Sequence, residues 1–456
     1  MIIDTHCHLD FKDFDKDRPE VIRRAKDAGV GALINVGSTV ENSIASVRLS
    51  DQYENVYASV GIHPHDASSY GEDALEALRS LAKNTPKVIA IGEVGLDYYR
   101  NLSPKDKQAE CLAGFARLSK ELDKPLIIHS RDAMKETVAI LEKETGGRLR
   151  GVMHCFSGNA EELERCLGLG LYVSFTCNAT FKKAGGLREV IRRAPIERVL
   201  LETDAPFMSP EGKRGTRNEP ANLVFLAETL AGLYGLSGND IARITTHNAN
   251  SLFRLGIKET QKIVYPIRGA LYLNITNRCT CDCVFCARSS SDFVKGHNLR
   301  LTGDPDLSEI MDQIEKAGRH KEAVFCGFGE PTLRLDIIKE VAKRLKLSGT
   351  KVRLVTNGHG NSIHSRSIAR ELKGIVDKVS VSLNTESSKT YEAICRPSIG
   401  NDAYQAVVRF VEECVDAGIE TEITCIDMTG VDIEKCREFA SKMGASFRVR
   451  KLGAVG

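Results

Sequence analysis

MIIDTHCHLD, residues 1–10, decides the reading of the first half of the chain. Ile2 and Ile3 open a short apolar run, too brief for a helix, so a strand is expected from Ile2. His6 and His8 stand two apart in this extended segment and point to the same face. Seven similar runs follow, beginning near Gly31, Val56, Val88, Pro125, Gly151, Tyr172 and Arg198. Amphipathic stretches such as residues 18–28 and 103–122 separate them. Eight strand–helix units in roughly 250 residues predict an α/β fold, a (β/α)8 barrel of TIM type. Residues 240–254 read as a closing helix.

The second half has six more strand runs, from Ala270, Glu322, Lys351, Lys378, Glu420 and Ser446. Their spacing, about 33 residues, is that of a βα unit and predicts a partial (β/α)6 barrel. The expected division is a first domain over 1–256, a linker over 257–265 and a second domain over 266–456. The two halves carry different motifs and do not read as duplicates.

Composition narrows the classes. Lys plus Arg is 63 and Asp plus Glu 61, a net charge of +2 that excludes a polyanionic or polycationic protein. A 42% hydrophobic and 27% charged composition is ordinary for a soluble globular chain. No apolar run approaches the roughly 18 residues of a membrane span. The N-terminus lacks the pattern of a signal peptide, so a cytoplasmic location is expected. Of 14 cysteines, five lie in residues 1–258 and nine in 259–456. In a cytosolic chain such usage points to metal or redox chemistry.

Seven of the eleven histidines lie in the first half, six of them at predicted strand ends. His6 and His8 follow strand one, His63 and His65 strand three, His129 strand five and His154 strand six. Glu93 ends strand four and Asp204 follows strand eight. Barrel enzymes build their sites where strands end and βα loops converge. Imidazole nitrogen with carboxylate oxygen suits divalent ions such as Zn²⁺ and Mn²⁺. These residues exceed the needs of one ion, and a carboxylate such as Glu93 can bridge two. Two ions about 4 Å apart can serve phosphodiester cleavage.

MIIDTHCHLD, SVGIHPHD, IGEVGLDYYR, IIHSRDA, MHCFSG, SFTCNATFK, LLETDAPFMSP and RNEPANL together resemble the TatD family of metal-dependent deoxyribonucleases, over about residues 1–256. The resemblance implies an amidohydrolase-type barrel and a two-ion site (Mg, Mn or Zn) that cleaves DNA. His6, His8, Glu93 and Asp204 would hold one ion, and Glu93, His129 and His154 the other. His63 would face the substrate, and Asp204 could also serve as base for the attacking water. The role of Glu202 is open. Arg131, and Lys213, Arg214 and Arg217 in EGKRGTR, suit a phosphodiester backbone or form a solvated basic loop. Asn218, Glu219 and Pro220 read as a structural turn. Deacylation or deamination on the same site is the alternative to a nuclease.

LYLNITNRCTCDCVFCARSS, residues 271–290, runs from a strand into Cys279, Cys283 and Cys286, spaced C-x₃-C-x₂-C. Thiolates suit an iron–sulfur cluster or zinc. Three thiolates on a [4Fe-4S] cluster leave one iron open for S-adenosylmethionine, whose reductive cleavage gives a 5′-deoxyadenosyl radical. The motif resembles the radical S-adenosylmethionine superfamily over about residues 266–456, with VFCGFGEPTLR similar to its Gly-Gly-Glu motif. The resemblance implies that Gly327 and Gly329 allow close approach to the ligand and that Glu330 accepts from the methionine ammonium. Ser382, with Ser380 and Asn384, would lie where the ribose is contacted. An electron donor is implied as partner. Cys281 is an extra cysteine that permits a rival reading, four zinc ligands at Cys279, Cys281, Cys283 and Cys286. His359, in NGHGN, reads as part of a turn or as a substrate contact. The substrate could be nucleic acid, nucleotide or another protein, or the domain could be a non-catalytic cluster module.

Overall fold

The computed structural model describes residues 1–400 and 402–451. It resolves into two compact units, Met1–Lys258 and Glu259–Gly456. Residues 452–456, the end of the expected second domain, lie outside the described residues. No helix among the described residues is long and apolar enough to cross a membrane.

The first unit is an eight-stranded parallel sheet in sequence order, as the repeated strand–helix pattern predicts. Its strands are β1 (Ile2–Cys7), β2 (Val30–Val36), β3 (Val56–Val60), β4 (Val88–Asp97), β5 (Leu126–Arg131), β6 (Gly151–Met153), β7 (Tyr172–Phe175) and β8 (Val199–Leu201). A parallel bridge between Cys7 and Ala205 closes it. Asp204 donates its backbone N–H to the carbonyl of His6 at 2.9 Å, and His8 donates to the carbonyl of Ala205 at 2.8 Å. The seam of the barrel is therefore built from the backbone of the proposed ligands. A core of Ile3, Ile34, Ile127, Val152 and Leu200 packs with Leu252 and Phe253 of the helix Gly238–Phe253. That helix starts in a capping box between Ser237 and Asp240, which satisfies two otherwise orphaned donors.

Glu93 was expected at the end of the fourth strand. It lies inside β4, which continues to Asp97 after a register irregularity between Ile91 and Val94. Gly95, at φ +156°, brings β4 hard against β5; a Cβ there would stand 1.9 Å from the carbonyl oxygen of His129. Only glycine permits that approach, and the approach sets His129 beside Glu93.

The second unit has a seven-stranded sheet. It contains β9 (Val264–Ile267) and β10 (Ala270–Leu273) and, after a short hairpin of β11 (Phe293–Val294) and β12 (His297–Asn298), β13 (Glu322–Phe325), β14 (Lys351–Thr356), β15 (Lys378–Asn384), β16 (Glu420–Asp427) and β17 (Ser446–Lys451). Six strands run parallel in the order β10-β13-β14-β15-β16-β17, the half-barrel of six units. The additional strand β9 pairs antiparallel with β10 at one edge and starts inside residues 257–265, expected as linker. On one face of the sheet Leu271, Phe325, Leu354, Val381 and Ile423 pack against the helices. On the other, Tyr272, Val324 and Phe328 form a separate apolar wall.

Candidate active sites

The six proposed ligands of the first unit converge around Glu93, whose two oxygens face different partners. Oε2 lies 3.4 Å from His6 Nε2 and 3.9 Å from His8 Nε2. Oε1 lies 2.7 Å from His129 Nδ1, 3.2 Å from His154 Nε2 and 3.5 Å from His63 Nε2. Asp204 Oδ1 stands 3.5 Å from His8 Nε2 and 3.8 Å from His6 Nε2. The groups His6–His8–Glu93 and His63–Glu93–His129 each bring three ligand atoms within 4.8 Å of one another.

The surroundings fix the ring tautomers. His8 Nδ1 donates to the carbonyl of Val36 at 3.1 Å, which leaves the Nε2 lone pair facing Glu93 and Asp204. His154 Nδ1 donates to Glu202 Oε1 at 3.0 Å, which turns its Nε2 toward Glu93, and the two carboxylates raise the ring well above its ordinary value. Glu202, whose role the sequence left open, also accepts from the Cys155 backbone N–H at 2.6 Å. It orients the proposed ligand His154 from behind, the usual task of a carboxylate paired with a metal-binding histidine. His63 differs. Its Nδ1 accepts from the His65 backbone N–H at 3.1 Å, so the neutral ring carries its proton on Nε2 and offers a donor. Asp97 holds His65 Nε2 at 2.8 Å and lies 3.4 Å from His129 Nε2.

Charge follows geometry. Burial alone would raise the Glu93 carboxyl, yet the fields of His63, His154 and His6 and the contact with His129 hold it well below the usual range. Burial likewise works against Asp204, and His8, His154 and His6 keep it low. Burial pushes His63 down to about 4, so it is neutral near pH 7. The buried ring nitrogens His6 Nδ1 and His129 Nε2 lack hydrogen-bond partners. Neighbouring carboxylates raise His8, His129 and His154 against the effect of burial. Anionic oxygens and imidazole nitrogens converging in one buried space form a donor set that fits divalent cations.

Asp4 was not singled out from sequence. It is fully buried, and burial raises its carboxyl to about 7. It accepts from Thr203 Oγ1 at 2.5 Å and Thr203 N at 3.0 Å, which anchors the residue before Asp204. Its signal was the alternation Asp4, His6, His8 along one strand.

The basic residues divide. Arg131, Lys213 and Arg214 are exposed, and each cation lies over an aromatic ring: Arg131 over Tyr99 at 3.9 Å, Lys213 over Phe225 at 5.1 Å, Arg214 over Phe181 at 4.5 Å. Lys213 also donates to Asn222 at 2.8 Å. Arg217 instead forms a two-pronged bond with Asp17, both arms 2.7 Å, and is a structural clasp. Asn218 is buried and donates to the Thr203 carbonyl at 3.0 Å, as a structural turn requires. Beside His8 lie Phe11, stacked at 4.7 Å, and the half-exposed Phe207 at 6.4 Å.

In the second unit, Cys279, Cys283 and Cys286 are half-buried in the loop after β10, and Cys281 is buried. Asn357 Nδ2 reaches Thr280 Oγ1 at 2.8 Å and the Cys281 sulfur at 3.5 Å. His359 was expected as a turn or substrate contact. It is instead buried as a link, with Nδ1 2.9 Å from Thr280 Oγ1 and Nε2 2.9 Å from Tyr391 OH. Hydrogen bonds from Cys281 and Cys395 hold the Cys283 thiol down to about 4, the thiolate a cluster iron takes. A closed tetrahedral zinc site needs sulfurs about 3.8 Å apart, from a Zn–S distance of about 2.3 Å. Among the described residues no group of three ligand atoms within 4.8 Å contains a cysteine. Three half-buried cysteines on one loop are a donor set of the kind that holds an iron–sulfur cluster.

Glu330 is buried. Its Oε1 accepts from Thr332 N, Thr332 Oγ1 and Thr356 Oγ1 at 3.0, 2.6 and 2.7 Å, and its Oε2 from Asn357 N at 2.7 Å. It brackets the loops after β13 and β14, with one acceptor position left on Oε2. The space beside the two glycines is taken by the chain itself. A Cβ on Gly329 would stand 2.4 Å from the carbonyl oxygens of Thr276 and Arg278, and one on Gly327 2.1 Å from Asn274 Oδ1. Ser382 is half-buried on β15, between Ser380, which donates to Glu422 at 3.1 Å, and Asn384.

A closed barrel with this rim defines a metal-dependent hydrolase, and the loop after β10 a second enzyme on the same chain. Residues 3–254 match the family model for TatD related DNase, and the chain belongs to that family. Residues 273–443 match the Radical SAM superfamily. The metal-dependent hydrolase YabD of Bacillus subtilis is 41% identical over 255 residues, 56% of this chain and all of YabD. The 3′-5′ ssDNA/RNA exonuclease TatD of Shigella flexneri is 35% identical over 257 residues, 55% of this chain and 98% of that protein. The solved structure of YJJV, a TatD homologue from Escherichia coli, superposes with a TM-score of 0.53 at 33% identity over 56% of this chain and 98% of its own. The two families imply divalent metals, a [4Fe-4S] cluster and S-adenosylmethionine.

Proposed function

We propose that the first unit hydrolyses phosphodiester bonds in DNA, with single strands as its substrate. The observation that carries this is Glu93, whose two oxygens face two separate sets of histidines. His6, His8, Glu93 and Asp204 would hold one ion, and Glu93, His129 and His154 the other. Bound ions would supply Lewis acidity at the phosphate. Asp204, ionised near neutral pH, is placed to take the proton of the attacking water. His63 offers its Nε2 proton to a phosphate oxygen. Arg131, Lys213 and Arg214 bind the backbone, and the rings beside them and beside His8 offer faces on which unpaired bases stack. The exonuclease relatives are consistent with this substrate.

The test is release of nucleotides from end-labelled single-stranded DNA by the Mn²⁺-loaded full chain. Release that Glu93→Ala abolishes supports the reading. No release, with hydrolysis of N-acylated or aminated small molecules, replaces it with deacylation or deamination.

For the second unit the proposal is a radical S-adenosylmethionine enzyme acting on nucleic acid or a nucleotide. Cys279, Cys283 and Cys286 would hold the cluster, and Glu330 and Ser382 would bind S-adenosylmethionine, while Gly327 and Gly329 let their loop close against Asn274, Thr276 and Arg278 rather than against the cofactor. When bound, the cluster supplies the electron that an external donor delivers. Anaerobic protein given S-adenosylmethionine and dithionite forms 5′-deoxyadenosine; absence of product from iron-loaded protein would favour a non-catalytic cluster. Fourteen cysteines and a reducible cluster suit a reducing compartment, so the proposed location is the cytoplasm.

A further inference from the structure

The charges on the inner face of the second sheet pair off. Arg353 Nε lies 3.1 Å from Glu322. Lys378 Nζ lies 3.1 Å from Glu420 and 2.9 Å from Glu422. Arg448 Nε lies 2.9 Å from Glu422. Arg450, two residues along β17 and so on the same face as Arg448, breaks the pattern. No carboxylate among the described residues lies within 4.0 Å of it. Its one hydrogen-bond partner among the described residues is the neutral amide of Asn384, whose Oδ1 accepts from Nη2 at 2.6 Å. Its Nε is buried and has no hydrogen-bond partner.

A half-buried guanidinium beside a neutral amide lacks a counter-charge among the described residues, and the Nε edge with a terminal N–H is the fork that grips carboxylate and phosphate. The position has a direction. Asn384 also donates to the Cys395 sulfur at 3.4 Å, and the neighbouring Ile394 accepts from the backbone N–H of Val284 in the cysteine loop at 2.9 Å. Cys283 is a proposed cluster ligand. Cys326 packs on the apolar wall of Tyr272, Val324 and Phe328. Arg450 thus lies one hydrogen-bonded residue from the segment that holds the cysteine loop, on the face of the sheet that carries the apolar wall. It sits on β17, which ends the order of the sheet among the described residues.

We propose that Arg450 binds an anionic group, carboxylate or phosphate, of the molecule on which the radical unit acts, and orients that molecule against the apolar wall. This rests on reading the second unit as a radical S-adenosylmethionine enzyme. The cofactor's own carboxylate is the other source of the same chemistry, and the experiment separates the two.

Anaerobically reconstituted full chain is treated with phenylglyoxal, which condenses with accessible guanidinium groups, and modification of Arg450 is followed by peptide mass spectrometry. Inorganic phosphate is the probe. The expected result is modification of Arg450 with S-adenosylmethionine bound, slowed about tenfold by added phosphate, a difference of about 1.4 kcal/mol. Protection by S-adenosylmethionine alone would overturn the proposal in favour of a cofactor contact. Equal rates with and without phosphate, or no modification in any state, would also overturn it. Arg450→Gln is the second arm. Its iron content and its affinity for S-adenosylmethionine, by equilibrium dialysis, stay at the parent level. A tenfold loss of that affinity would assign Arg450 to the cofactor. Iron-free parent protein would instead sink the radical reading, while phosphate protection of Arg450 would still be read.

Discussion

His154 Nδ1 donates to Glu202 Oε1 across 3.0 Å inside a wall that water does not reach. The bond turns the ring so that its other nitrogen faces Glu93, 3.2 Å away. Glu202 is a positioning residue. Glu202→Ala lowers metal affinity of the first unit about 10- to 100-fold, and Glu202→Gln, which keeps an acceptor, lowers it less. Isothermal titration with Mn²⁺ checks this; parent affinity in both variants would refute it.

Glu93 serves two sets of histidines and His8 only one. Glu93→Ala therefore loses both metal equivalents, whereas His8→Ala loses about one of the two. Elemental analysis after gel filtration distinguishes them. Full metal content in Glu93→Ala would remove the bridging role.

Lys213 and Arg214 are exposed, and Arg217 is clasped by Asp17. Replacing the first two with alanine weakens single-stranded DNA binding most at low salt. The slope of log K against log salt falls by about 0.7 for each lost phosphate contact. Arg217→Ala leaves that slope alone and lowers the melting temperature of the first unit. An unchanged slope in the double variant would end the phosphate assignment.

Cys281 and Cys283 have different surroundings and predict different losses. Cys283→Ala protein loses most of its iron after reconstitution. Cys281→Ala keeps most of it, because Cys281 supports Cys283 by a hydrogen bond and is otherwise buried toward Asn357 and His359, not placed as a further thiolate. Equal iron loss in both variants, with zinc bound in the parent, would restore the four-thiolate reading.

His359 carries a pH dependence. Burial lowers its folded pKa to about 4, from an ordinary value near 6.5. The folded state thus favours the neutral ring. Its contribution is complete above about pH 6.5 and is lost as pH falls toward 4. Iron release from the second unit therefore moves to lower temperature between those limits. His359→Gln, which still bridges Thr280 and Tyr391, flattens that profile. A parent profile without slope there would contradict the assignment.

Much of this was legible in the sequence, for a physical reason. Period-two apolar runs locate strands well, and the six runs of the second half begin where β10 and β13–β17 begin. The missing strand, β9, contains Pro266, which argues against a strand except at an edge, where β9 lies. Ligand-type histidines announce themselves by residue type and strand position. What supports them does not. Asp4, Glu202 and Asp97 act through partners up to 199 residues away, and no local pattern pairs Asp4 with Thr203. His359 sits among Asn and Gly residues that spell a turn, and its burial arises only when Thr280 and Tyr391 are brought to it.

The bridge from Cys7 to Ala205 gives the first unit an order of completion. A nascent chain that has emerged only as far as β7 already has all its ligand histidines, but nothing holds its first strand to its last. When Ala205 docks, one zipper of backbone bonds shuts the cylinder and delivers Asp204 to His6 and His8. The act that seals the barrel also arms it.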